Sequence, residues 1–132
     1  MGSVRAPVIT VMVTGSRSWT DVERIRAVLR VIDWSCVRDR EQRFVRLIHG
    51  AANGADAIAA REAKRLGWDV VQYPVQPEDW RRFGRRAGPM RNRTMLRSTP
   101  TFVVAFWDGE SHGTADAIEV ARQMGIRVEV FR

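Results

Sequence analysis

The chain has 132 residues, 45% of them apolar, and a net charge of +7. This length sets one domain around one core, and the composition excludes a disordered or collagenous chain. No apolar run reaches the ~20 residues of a helical membrane span. Val8 to Val13 is β-branched and apolar, and predicts a buried strand. Thr20 with Glu23 forms a capping-box pattern. The helix behind it is expected to run to about Trp34, burying Val22, Ile25, Val28, Leu29 and Ile32. The charged stretch Ser35 to Arg43 predicts a surface loop.

Val45 to Ile48 predicts the second strand. Ala55 to Leu66 predicts the second helix, with Ile58, Ala59, Ala63 and Leu66 inward and Gly67 as its stop. Asp69 to Tyr73 predicts the third strand and Pro74 to Pro77 a loop. A short helical stretch starts near Glu78. A clearer helix runs from about Pro89 to Arg97, with Met90, Met95 and Leu96 in the core. Phe102 to Phe106 predicts the fourth strand, Thr114 to Met124 the last helix, and Arg127 to Phe131 the fifth strand. Strands alternating with helices imply a parallel sheet covered on both faces. The whole of residues 1–132 is expected to form one domain, with 1–7 flexible at its start.

Ligands of such sheets sit beyond the carboxyl ends of the strands, where strand order reverses. With the order 3-2-1-4-5, that point lies between strands one and four. Glycine-bearing turns fall there. Gly15-Ser16-Arg17 follows the first strand and can offer backbone N–H groups, a hydroxyl and a guanidinium fork to an oxyanion. The segment Gly50 to Asp56, with Gly54, follows the second strand; Asp56 either accepts hydrogen bonds from a ribose or holds the loop. Gly109, Gly113 and Thr114 follow the fourth strand and form a phosphate-type loop at a helix start. Thr114 either caps that helix or touches phosphate.

Trp80 lies near several arginines, so it can stack a base while the cations meet phosphate. Arg91 and Asn92 are polar at the start of a helix that must pack on the sheet. Trp107 is the other candidate to sit near a base. His49 and His112 lack metal-ligand spacing, so no metal is expected. No cofactor is expected either, and Ser16 has no evident His/Asp partner for a nucleophile triad.

Lys64 is the only lysine, so the charge is almost all arginine. Its spread along the chain suits solvated helix faces; its sign suits an anionic partner such as a nucleotide or nucleic acid. Cys36 is the only cysteine, which precludes an internal disulfide and suits a reducing interior. Residues 1–7 show no secretory pattern, and a cytoplasmic location with no membrane association is expected. Trp34 or Trp68 could sit at the interface of an expected homo-oligomer.

Together, Gly15-Ser16-Arg17, the segment from His49 to Asp56, Asp79-Trp80, the run from Ala87 to Met95 and the run from Ala105 to Asp116 resemble the YspA / cpYpsA-related branch of the SLOG superfamily. The resemblance spans Val8 to Phe131. It implies a Rossmann-like three-layer sandwich and a nucleotide or nucleotide-derived ligand, such as a nucleoside phosphate or an ADP-ribose-like molecule.

Two relatives of that superfamily suggest alternatives. LOG phosphoribohydrolases carry an Arg-Lys pair before a methionine and a later Gly-Thr-x-x-Glu. Arg91, Met95 and Gly113-Thr114 match these positions, Asn92 replaces the lysine, and Ala117 stands where the glutamate is expected, with Asp116 one residue early. By this resemblance Arg91 and Asp116 are the candidate catalytic residues of a nucleotide N-glycosidic hydrolase. The segment Arg91-Asn92-Arg93 and the strand after it also look like DNA-processing protein A, which implies single-stranded nucleic-acid binding.

Overall fold

A computed structural model describes residues 8–38 and 44–132; the expected flexibility of 1–7 concerns residues outside these. The elements in chain order are β1 (Val8–Gly15), α1 (Val22–Arg38), β2 (Phe44–His49), α2 (Ala55–Arg65), β3 (Asp69–Gln72), α3 (Pro77–Phe83), a 3-10 turn (Gly84–Arg86), α4 (Ala87–Arg97), β4 (Phe102–Phe106), α5 (His112–Gln123) and β5 (Val128–Phe131). The five strands form one sheet in the order β3-β2-β1-β4-β5, and every pairing is parallel.

β1 is the central strand. Val11 pairs with Leu47 of β2, and Met12 with Val103 of β4. Residues 11 to 14 of β1 are all buried, because helices cover the sheet on both sides. The strand period of two then divides the core. Val11, Val13, Leu47, Val104 and Phe106 face α1 and α2, meeting Ile25, Leu29, Ile58, Ala59 and Ala63. Met12, Ile48 and Val103 face α4 and α5, meeting Met95, Leu96 and Ala121.

Several local expectations change. α1 continues through Ser35 to Arg38, because Cys36 falls on the buried stripe that Ile25, Leu29 and Ile32 begin. The expected loop therefore loses its first half, and residues 39–43 lie outside the described ones. The cap of α1 is Asp21, one residue beyond the expected Thr20: its Oδ1 accepts the N–H of Arg24 at 3.0 Å. Met90 is 42% exposed, since it lies on the side of α4 turned away from the sheet; Met95 and Leu96 are core as expected. Trp68 is buried inside the chain and donates Nε1–H to Asp33 at 2.8 Å, so it is no interface residue. Among the described residues no helix is long and apolar enough to cross a membrane.

Candidate functional site

The carboxyl ends of β1 and β4 open into a groove of about 750 Å³. This is the crevice where strand order reverses. Gly15 and Arg17 come to it from the turn after β1, and Asp56 from the first turn of α2. Trp80 arrives from α3, and Arg91 and Asn92 from α4. Gly113, Thr114 and Asp116 complete it from the first turns of α5. Turns far apart in sequence are thus brought together, with α4 as the opposite wall.

The other sequence candidates stand behind this wall or beside it. Ser16 is fully buried: its Oγ accepts the N–H of Asp108 at 3.0 Å, its own N–H donates to the carbonyl of Phe106, and its carbonyl accepts from Trp19 and Ala55. It ties the turns after β1 and β4 to the start of α2. Gly54 has φ +73°, and a Cβ there would strike the carbonyls of Ser16 and Arg17. Gly50 borders a smaller adjoining cavity rather than the groove. Gly109, with φ +85°, turns toward Arg132. Trp107 faces the same way: Arg132 lies 5.4 Å from its ring centroid, and its Nε1–H donates to the carbonyl of Ser111 at 3.0 Å.

Arg91 and Asp56 grip one loop from two sides. Arg91 Nη1 donates to the carbonyl of Gly50 and, at 3.2 Å, to that of Tyr73, while its Nε donates to Asn92 Oδ1 at 2.8 Å. Its Nη2 has no partner among the described residues. Asp56 Oδ2 accepts the N–H of Gly50 at 2.9 Å and of Ala52 at 3.4 Å. His49 Nδ1 accepts the N–H of Ala51, and burial lowers the pKa of that imidazole. The loop so held carries Ala51 at φ +59°, a left-handed conformation that a non-glycine residue adopts at a cost. Burial raises the Asp56 carboxyl to about 6, while the loop N–H groups and the charges of Arg91 and Arg17 pull it back down.

The groove lining sets Arg17, Arg85 and Arg91 against Asp56, Asp108 and Asp116, and the groups it leaves open are hydrogen-bond donors. Arg17 and Arg85 both line it, and neither guanidinium has a hydrogen-bond or ion-pair partner among the described residues. At the start of α5 the N–H groups of His112, Gly113 and Thr114 have no protein acceptor there either, and the positive end of the helix dipole adds to them. Ser111 is the N-cap residue of α5, so the helix starts earlier than expected. Thr114 lies within its first turn, and its Oγ1 is 3.3 Å from Ser111 Oγ. The carboxylate of Asp108 shapes the approach to the helix. It accepts the N–H groups of Ser111 and Glu110, and these bonds hold its pKa below the usual carboxylate range. Asp116, one candidate catalytic residue, pairs with Arg93 at 3.3 Å. Ala117 is fully buried against the sheet.

His112 is a groove residue that the sequence did not mark for the site, and Arg85 is the one of the arginines near Trp80 that reaches the groove beside it. Its place depends on the sharp turn at Gly84, φ +56°, where α3 gives way to the 3-10 turn. His112 reads as a loop histidine until α5 is seen to start there.

Fold and groove together define a Rossmann-like α/β domain with a crevice at the switch point of its sheet. The chain belongs to the YspA, cpYpsA-related SLOG family, whose model matches residues 9–83. It is 35% identical over 130 residues to the Gene 61 protein of Mycobacterium phage D29, covering 92% of this chain and 94% of that one. Among solved structures it resembles TM1055, with a TM-score of 0.62 and 20% identity, over 91% of this chain and 72% of that one. It also resembles DNA processing protein A (DprA) from Streptococcus pneumoniae, with a TM-score of 0.52 and 14% identity, over 92% of this chain and 58% of that one. At these identities the two structures speak for the fold alone.

Proposed function

We propose that the groove binds a nucleotide-derived small molecule and that the protein acts as a binding or sensing domain for it. Family membership supports a ligand of this class. The observation that carries the reading is the pairing of two unpartnered guanidinium groups, Arg17 and Arg85, with the open N–H groups at the start of α5 around one groove. Phosphate oxygens meet Arg17 and the first turn of α5, next to Gly15, Gly113 and Thr114. Asp56 lies on the ribose side, and Trp80 offers a ring face to the base. The groove volume falls within the ~300–1,000 Å³ usual for small-molecule sites.

Binding is favoured over N-glycosidic hydrolysis because the carboxylates near the groove are engaged. Asp116 is held by Arg93, and one oxygen of Asp56 by two loop amides. A thermal-shift panel of nucleoside mono- and diphosphates, ADP-ribose and cyclic dinucleotides tests the reading. At least one raises Tm, and Arg17→Ala abolishes the rise. If no compound shifts Tm, or if the shift survives Arg17→Ala, the reading fails. Release of free base from a nucleoside monophosphate would favour the hydrolase instead.

A further inference from the structure

We infer that the site has two chambers, and that its ligand is a two-headed nucleotide: two nucleoside-sized rings joined through phosphate. This rests on the reading of the groove above and extends it. The second chamber is a cleft of about 470 Å³ between the end of β3, α3 and α4. α3 contributes no buried residue, so it stands off the body of the domain and leaves space beneath it. Tyr73, Val75, Phe83 and Met90 give the cleft an apolar and aromatic wall, and Thr94 and Arg97 give it a polar edge. That combination takes a flat heterocycle by its faces and its edge.

The two chambers adjoin through a third space. A smaller cavity of about 250 Å³ shares Arg17, Ala52 and Trp80 with the groove, and Pro74 and Val75 with the cleft. Arg91 borders all three. Trp80 and Phe83, one turn apart on α3, wall the groove and the cleft respectively. At the junction stand the two cationic groups best suited to a bridging phosphate: the Arg17 guanidinium and the unpartnered Nη2 of Arg91. A mononucleotide fills the groove and leaves the cleft empty. A molecule with two rings and a central phosphate uses all three spaces.

Calorimetry on the full chain tests this with ADP, diadenosine 5′,5′-diphosphate and the 3′,5′-linked dinucleotide pApA. One two-headed compound binds at least about ten-fold more tightly than ADP, and the preferred one identifies the linkage. Thr94→Tyr, which fills the cleft, and Phe83→Ala, which strips its wall, each bring that compound down to the ADP level. Both leave ADP itself within about two-fold. Neither residue is in the buried core, so circular dichroism should match the parent chain. Arg17→Ala weakens all three compounds. Equal affinity for ADP and both two-headed compounds, or indifference to the cleft variants, overturns the second chamber while leaving the groove intact. No binding of any of the three overturns the groove reading and the inference with it. An oligodeoxyadenylate of about ten nucleotides that binds far more tightly than either dinucleotide, with a steep salt dependence, replaces the inference with a nucleic-acid strand.

Discussion

The guanidinium of Arg91 occupies the position where a side chain on residue 50 would begin: a Cβ built on Gly50 lies 2.9 Å from Arg91 Nε and closer still to its Cζ and Nη1. The glycine is therefore there for Arg91. In return, Arg91 satisfies the carbonyls of Gly50 and Tyr73 and so ties the ends of β2 and β3 to α4. Gly50→Ala should expel the guanidinium and cost about 1–3 kcal/mol. Arg91→Ala should cost a similar amount. Because both remove the same bonds, the double variant should be less destabilised than the two singles combined. A double-mutant cycle by urea denaturation measures this coupling.

Gly54 and Gly67 both have positive φ, at +73° and +81°, yet their surroundings differ. Nothing lies within 4 Å of a Cβ on Gly67, whereas one on Gly54 meets the backbone of Ser16 and Arg17. Gly67→Ala should cost only the conformational penalty, about 1 kcal/mol. Gly54→Ala should cost several times that, because backbone cannot step aside, and should loosen the turn after β1. Thermal denaturation of the two variants side by side gives the comparison.

Asp56 makes stability depend on pH in a direction opposite to that of a salt-bridged carboxylate. Its folded pKa is about 6, above the 3.8 of an unperturbed aspartate. Between those values the folded chain holds a proton that the unfolded chain has released, so this group's contribution falls as pH rises through that window. Asp56→Asn keeps an acceptor for the Gly50 N–H and removes the titration. Lowering pH from 7.5 to 5 should favour the parent over Asp56→Asn by on the order of 1 kcal/mol. Denaturant midpoints of both proteins at the two pH values provide the check, and a gap that is constant or moves the other way refutes it.

Ser16 and Arg17 are neighbours with separate tasks, and their alanine variants should separate. Ser16→Ala removes the part-buried hydrogen bond that holds the Asp108 N–H and should cost about 1 kcal/mol. Arg17 is exposed and has no partner among the described residues, so Arg17→Ala should leave stability within about 0.5 kcal/mol. Its effect should fall on nucleotide affinity instead. Denaturation paired with calorimetry on each variant reads both quantities.

The parallel sheet was legible because apolar runs such as Phe102 to Phe106 alternate with helical stripes such as Ile58, Ala59 and Ala63; the order 3-2-1-4-5 was a supposition, since the same rhythm also builds 2-1-3-4-5. The glycine turns were legible as turns, but their individual purposes were not. A glycine beside a ligand and a glycine beside another part of the chain look the same in sequence. Gly113 lines the groove, Gly50 and Gly54 make room for protein, and Gly109 faces Arg132. Helix ends were the least readable. Ser35 and Cys36 look like the start of a polar loop, yet Cys36 is carried inside by the packing of α1 on the sheet. Arg91 was read as a ligand group; the tertiary structure directs two of its nitrogens inward to Gly50, Tyr73 and Asn92, which no local pattern announces.

The detachment of α3 from the core bears on how such a domain can diversify. Residues 77–86 include no buried side chain, so substitutions there, at Gly84 with its φ of +56° excepted, are nearly free of consequence for folding while they border both chambers. Selection can thus retune what the domain recognises by rewriting this one segment, and the sheet beneath need not register the change.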